Sequence, residues 1–337
     1  ITHSTKNGNI RKVKNDKIDS KGIAKLGLSK DIPVSQFPAK LVLELRSLTR
    51  KYYDLTDERS AHINKLKGDL HTVFPQYLDV FCDVTGKTST MILRQYGTPD
   101  KILRGHKKTM IEKISKASRK GLAKASERYE KLCAAANAAK TFGCQIDSIY
   151  FNIFLTLDLV EKLDSALDSI LNRIRQLITF NKNEKFIQQI KLLNTIPGVG
   201  FLTAVTIMCE IGDFSAFRNP KQLFAYFGLD PEVNESGKFV GTQLHMSKRG
   251  SRIARRAIFA VALASIRTKR NGEGINPYLR KYYELKSGQK PKMVAIGAVM
   301  HKVCNIVFAV LRDEKAFELR SPEEHCKQYQ RPALAAA

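Results

Sequence analysis

A chain of 337 residues with 43% hydrophobic content is long enough to build two or three domains with real cores, which excludes a disordered or fibrous polypeptide. Lysine plus arginine number 57 against 32 acids, a formal net charge of +25, and such a field draws in polyanions, with nucleic acid as the leading partner. A membrane surface is also anionic, but there is no uninterrupted apolar run of about twenty residues and no signal peptide, which points to a soluble, cytoplasmic protein with no membrane partner.

The opening stretch ITHSTKNGNIRKVKNDKIDSKGIAKL is polar and basic as far as Ile18, after which Ile18, Ile23 and Leu26 are spaced for a short helix. Asp16 and Asp19 stand near its start. Their spacing of three puts both carboxylates on one face of a helical turn, where they can share a hard cation such as Mg²⁺. The same spacing also serves as an N-terminal cap, and two carboxylates fall short of a complete metal site. Pro33 and Pro38 punctuate a linker. Leu41, Leu45, Leu48, Tyr52, Leu55, His62 and Leu66 then step by threes and fours, a coiled-coil seam ending near VFPQYLDVF.

From Thr85 to Ala139 the chain is again helical and far more basic. Met110, Ile111, Ile114, Leu122 and Leu132 can form an apolar stripe, leaving Lys107, Lys108, Lys116, Arg119, Lys120, Lys124 and Arg128 either on a solvated face or against phosphates. A second heptad-like run follows at Ile149, Ile153, Val160, Leu163, Leu167, Ile170, Ile174 and Leu177. Two such helices make either an antiparallel hairpin or a coiled coil shared between protomers.

The last domain begins near Phe186. Pro197-Gly198-Val199-Gly200 separates two apolar-periodic stretches and can aim backbone amides at an anion, as helix-hairpin-helix units do with a DNA phosphate; a tight connection that needs glycine for packing alone is the competing reading. Asn219 and Pro220 are an N-cap and a first helical residue, and Gly228 stops that helix. Residues 229–246 read as a small hairpin or loop containing Glu235-Ser236-Gly237. Downstream lie His245, Ser247, Lys248, Arg249, Arg252, Arg255 and Arg256, the last three spaced to share a helix face and neutralise phosphate oxygens. A serine hydroxyl is a weak nucleophile until a base or metal takes its proton, so by local spacing this is a loop beside a basic helix. KMVAIGAVMHKVCNIVFAVL is apolar almost all round, the mark of a buried helix. The cysteines at 82, 133, 144, 209, 304 and 326 form no CxxC pair and read as reduced, mostly buried thiols. The closing ALAAA and the start at Ile1 read as marks of an edited chain.

The run LLNTIPGVGFLTAVTIMCEIGDFSAFRNPKQLFAYFGLDPEVNESGKFVGTQLHMSKRGSRIARRAIFAVALAS resembles, element by element, the catalytic C-terminal domain of the IS-one-ten family of insertion-sequence transposases. The order is the same: a PGVG hairpin, an F-x-x-F-x-G-L-like segment, a proline, E-S-G, S-K-x-G and an R-R helix. VKNDKIDSKGIAKL is similar to the end of the family's RNase-H-like domain. The resemblance implies a DNA recombinase directed by a bridge-type non-coding guide RNA. Ser236 matches the serine that becomes covalently joined to DNA. Asp16 and Asp19 match the last two acids of a DEDD set that binds Mg²⁺, and the two preceding acids have no counterpart in this chain. The expected fold is mainly α. Residues 1–32 would be a remnant of an RNase-H-like α/β domain, 33–185 a coiled-coil region with a basic insertion at about 79–143, 186–320 the catalytic domain with a helix-hairpin-helix element, and 321–337 a tail. The family's acidic and serine sites meet from different protomers, so a homo-oligomer, dimer or tetramer, is expected through the coiled coil. Gly198, Gly200, Lys248, Arg249, Arg252, Arg255 and Arg256 are the expected DNA or RNA contacts. The competing reading is a non-catalytic, structure-specific nucleic-acid-binding protein in which Ser236 is a turn residue.

Overall fold

A computed structural model of the chain describes residues 16–28, 38–142, 144, 146–232, 235–236, 239–240 and 245–324. The chain divides into two units, residues 1–40 and 41–337. The first contains one described helix, α1 (Asp16–Leu28), which starts at the aspartate expected near its N-terminus. The second is mainly α, as expected.

Two helices of 34 residues each, α2 (Lys40–Val73) and α8 (Asp147–Phe180), form its long axis. Each buries a stripe at helical spacing: Val42, Leu45, Thr49 and Leu55 along the first half of α2, and Ile153, Leu157, Val160, Leu167 and Ile174 along α8. They run antiparallel within one chain. Arg59 of α2 donates to Asp164 of α8 at 2.5 Å, and the Tyr150 hydroxyl donates to the Val73 carbonyl at 3.3 Å. These two ties, Asp164 opposite Arg59 and Tyr150 opposite Val73, advance along α2 as they go back along α8, so the two helices form an antiparallel hairpin within the chain.

Between the two long helices lie five shorter ones: α3 (Tyr77–Val80), α4 (Lys87–Gln95), α5 (Pro99–Arg104), α6 (Lys107–Ser118) and α7 (Leu122–Phe142). They enclose their own apolar core with the neighbouring ends of α2 and α8, including Phe74, Tyr77, Ile92, Ile102, Met110, Ile114 and Leu132. The Tyr77 hydroxyl inside it is satisfied by the carbonyl and hydroxyl of Ser89. Leu122, expected in the same stripe, is 60% exposed. It opens α7 directly after a short connection in which Arg119 is left-handed.

A second core surrounds α14 (Lys292–Asp313), the apolar helix anticipated as buried. By length and composition α14 could cross a membrane, but Ala295, Val299, Met300, Val303, Cys304 and Val307 are buried against the surrounding helices. These are α9 (Lys185–Leu193), α10 (Phe201–Ile211), α11 (Pro220–Tyr226), α12 (Arg252–Ile266) and α13 (Pro277–Ser287). Side-chain caps start three of them: Asn219 accepts from Gln222 N at 3.0 Å, Ser251 from Ala254 N at 3.2 Å and Asn276 from Leu279 N at 3.1 Å. Leu45 and Ile174 belong to this core, so the base of the long hairpin is built into it.

The cysteines depart from the expectation of a mostly buried set. Cys209 and Cys304 are buried, whereas Cys82 and Cys144 are exposed on the intervening helical region and Cys133 is half-buried. Burial pushes the Cys209 thiol up to about 12 and the Cys304 thiol higher still. Cys326 lies outside the described residues.

Candidate active site and nucleic-acid interface

Ser236 closes β1 (Glu235–Ser236), which pairs antiparallel with β2 (Phe239–Val240); Glu235 faces Val240 and Ser236 faces Phe239. Ser236 is thus the later of the two paired residues of β1 and faces the first residue of β2. Ser236 therefore stands at the tip of a hairpin arm.

The base of that arm is well defined. Met246 bridges to Pro231, Glu232 N donates to the His245 carbonyl at 2.7 Å, Ser247 N to the Asp230 carbonyl at 2.8 Å and Lys248 N to the Gly228 carbonyl at 3.0 Å. The Ser247 hydroxyl adds a bond to Asp230 at 2.5 Å. At the root, the backbones at Gly228 and Gly250 are nearly in contact. A methyl group on Gly250 would collide with the Tyr226 carbonyl and come within 2.6 Å of the Phe227 carbonyl carbon. Gly228 is left-handed at φ 65°, so glycine is required there twice over. Lys248 also adopts φ 52°.

The three arginines expected to share one phosphate-facing surface are used differently. Arg255 Nη1 donates to the carbonyls of Phe227 and Gly250, at 3.1 and 2.7 Å, and so fastens the arm's root from below. Arg256 pairs with Asp57 of α2 at 2.7 Å and lies over the Tyr53 ring at 4.8 Å. Arg252 is exposed and, like Arg249 and the ammonium of Lys248, makes no side-chain hydrogen bond or ion pair among the described residues. Helical spacing identified a common helix but could not show that two of its members are drawn inward by partners 28 and 199 residues away.

Beside the root lies an open cleft of about 460 Å³, lined by Arg46, Arg50, Glu210, Ala225, Tyr226, Arg249, Gly250 and Ser251. Sequence reasoning missed its inner members. Glu210 is the only acid in the apolar run FLTAVTIMCEI, and Arg46 and Arg50 lie one turn apart on α2; those were the available signals. Glu210 is only 2% exposed. Burial raises its carboxyl pKa, but hydrogen bonds from Arg50 and Ser251, with the charges of Arg50 and Arg46, outweigh this and hold it below the usual carboxylate range. Arg50 grips it with two bonds of 2.8 and 2.9 Å. Arg46 Nε donates to the Cys209 carbonyl at 2.7 Å, near the C-terminus of α10.

The turn between α9 and α10 serves packing at one glycine and leaves the other open. Gly198, at φ 96°, lies against α12 so closely that a methyl group would be 2.6 Å from Ser265 Oγ, which itself donates to the Pro197 carbonyl at 3.0 Å. Gly200 caps α10 without a side-chain bond, is exposed, and has nothing within 4 Å of where its Cβ would be.

Asp16 and Asp19 lie within the first turn of α1, so their backbone positions share a face; the placement of their carboxylates lies outside the described residues. Oxygen donors are the right chemistry for Mg²⁺, and a pair of carboxylates would supply two of the six ligands such an ion takes. Among the described residues no group of three or more His, Cys, Asp or Glu side chains converges to complete a metal site.

A model of the transposase IS116/IS110/IS902 family matches residues 190–284, which contain the α9–α10 turn, the Ser236 arm and α12. A DEDD-type transposase model matches residues 1–75, including Asp16 and Asp19. This chain carries IS116/IS110/IS902 family transposase domains. Its similar proteins include the insertion element IS110 uncharacterized 43.6 kDa protein of Streptomyces coelicolor, 23% identical across 84% of this chain and 66% of the relative. The pilin gene-inverting protein of Moraxella bovis is 30% identical over 52% of each chain. The transposase for insertion sequence element IS1111A of Coxiella burnetii is 26% identical over 54% of this chain and 50% of its own length. The chain thus spans two thirds or less of these relatives.

Proposed function

We propose that this protein acts in DNA transposition as a recombinase that cuts and rejoins strands through Ser236. The Ser236 Oγ attacks a backbone phosphorus, a serine–phosphate ester forms, the bond to the leaving deoxyribose oxygen breaks, and the serine proton ends on that oxygen or in solvent. Attack by a strand-end hydroxyl on the ester reverses the bookkeeping and restores the serine. The observation that carries this reading is the seating of Ser236 at the tip of an arm whose root is locked by Gly228, Gly250 and Arg255 and flanked by the uncommitted cations Lys248, Arg249 and Arg252. Such cations hold a phosphodiester and offset the charge that builds on it during displacement.

Asp16 and Asp19 would hold Mg²⁺ together with further acids. Bound there, the ion would supply Lewis-acid stabilisation of the displaced or attacking oxygen. The helix-hairpin-helix around Gly200 would grip the strand through the free amides of the α10 N-terminus, and the remaining basic surface would take a guide RNA. Phe151, Leu155 and Leu159 of α8 are 62, 46 and 43% exposed at intervals of four, an apolar stripe that supports self-association along the long hairpin.

The competing reading, a non-catalytic nucleic-acid-binding protein, is supported by exposed cations on α6 that make no ion pair among the described residues, Lys108 and Lys116 among them. A denaturing gel of the full-length protein incubated with guide RNA and labelled DNA separates the two. The recombinase leaves protein attached to DNA, and Ser236→Ala removes that band while the protein still folds and binds. A wild-type reaction that rejoins strands with no attached species at any time point contradicts the proposal.

A further inference from the structure

We propose that the cleft formed by Arg46, Arg50 and Arg249 is a subsite for one backbone phosphodiester of a DNA strand, and that it fixes the strand relative to the Ser236 arm; this rests on the proposed recombinase reading. Three guanidinium groups from two distant parts of the chain converge on one cavity. The single carboxylate among them, Glu210, is already occupied by Arg50 and Ser251 and is turned inside. One negative charge against three positive leaves a net excess of two in the cleft, and like charges converge at a cost unless an anion lies between them. Arg46 spends its Nε on the Cys209 carbonyl and Arg50 spends its Nε and one Nη on Glu210, which holds both planes in place while leaving further N–H donors on each. Arg249 makes no side-chain bond among the described residues and forms the outer wall.

The two non-bridging oxygens of a phosphodiester match donors in this fork geometry. The cleft is open rather than enclosed, so a chain can pass through with one phosphate seated and its neighbours outside. Its position fits a strand rather than an isolated anion. Arg249 and Gly250 follow directly from Lys248, the last residue of the arm's stem, so a phosphate seated against them belongs to a strand running past the root of the Ser236 hairpin.

The test is fluorescence anisotropy of a labelled ten-nucleotide DNA strand on the 337-residue chain across a KCl series. The variants are Arg249→Ala, Arg46→Gln, Ser236→Ala and, as a charge control outside the cleft, Lys290→Ala, each checked for wild-type circular dichroism. Arg249→Ala and Arg46→Gln are each expected to weaken binding at least fivefold at 100 mM KCl and to lower the slope of log affinity against log salt by roughly 0.7, the loss of one single-strand phosphate contact. Lys290→Ala should stay within twofold of wild type. Cleft variants no weaker than Lys290→Ala overturn the subsite. So does displacement of the strand by inorganic phosphate at equal affinity, which makes the cleft a free-anion site, or a loss confined to an RNA strand of the same sequence. Ser236→Ala is expected to bind DNA as wild type does. A missing covalent adduct with cleft variants that still weaken binding therefore counts against the nucleophile alone, and an adduct with unaffected cleft variants counts against the subsite alone.

Discussion

Glu210 connects three helices through one carboxylate: it sits on α10, takes two bonds from Arg50 of α2 and one from the Ser251 cap of α12. Because its folded pKa is depressed, its contribution is present above the ordinary carboxylate range and is lost as pH falls through the folded value. Arg50 is about half exposed, so the pair is worth less than a fully buried one. Glu210→Gln is expected to cost about 1–2 kcal/mol at pH 7. The gap from wild type should narrow as pH falls through the ordinary carboxylate range toward the depressed folded value. Urea unfolding at pH 7 and pH 3.5 measures this, and an equal gap at both values would show that the charge plays no part. The residue was hidden in the sequence because a lone glutamate in an apolar helix looks like an error until its partner, 160 positions upstream, is known.

At the scale of elements, the Ser236 arm depends on two backbones touching at its root. Gly250→Ala places a methyl group on the Tyr226 carbonyl, where backbone rather than a flexible side chain must move. The expected cost is about 1–3 kcal/mol, with faster amide exchange in residues 228–232 and 245–250. Exchange unchanged from wild type would mean that the root is not the arm's anchor. Much of this region was legible beforehand. Asn219-Pro220 marked the start of α11, Gly228 its end, and Pro197-Gly198 the break between α9 and α10, because cap and turn chemistry is local. Helix α14 was equally plain from its all-round apolarity. What spacing could not supply was long-range pairing. Arg255 and Arg256 read as phosphate contacts until the Phe227 and Gly250 carbonyls and Asp57 claimed them, and Arg46 and Arg50 drew no notice inside a coiled-coil seam.

At the scale of the molecule, the long α2–α8 hairpin joins two apolar cores that share none of their buried residues. A perturbation in the outer core should therefore remain there. Ile114→Ala, at a fully buried site, is expected to cost about 2–4 kcal/mol and to speed amide exchange across α3–α7 while leaving α9–α14 unchanged. Exchange rising equally in both regions would show a single cooperative unit. The same separation lets the basic helical region vary without disturbing the arm that carries Ser236. The central chemical claim concerns that one hydroxyl, and peptide mapping tests it directly. The covalent species formed by the intact enzyme on DNA is digested with nuclease and then trypsin, and the peptide of residues 222–238 is fragmented in a mass spectrometer. Its only hydroxyl-bearing side chains are Tyr226 and Ser236. A nucleotide carried on Ser236 is the predicted result; a nucleotide on Tyr226, or on no residue of this peptide, contradicts the account.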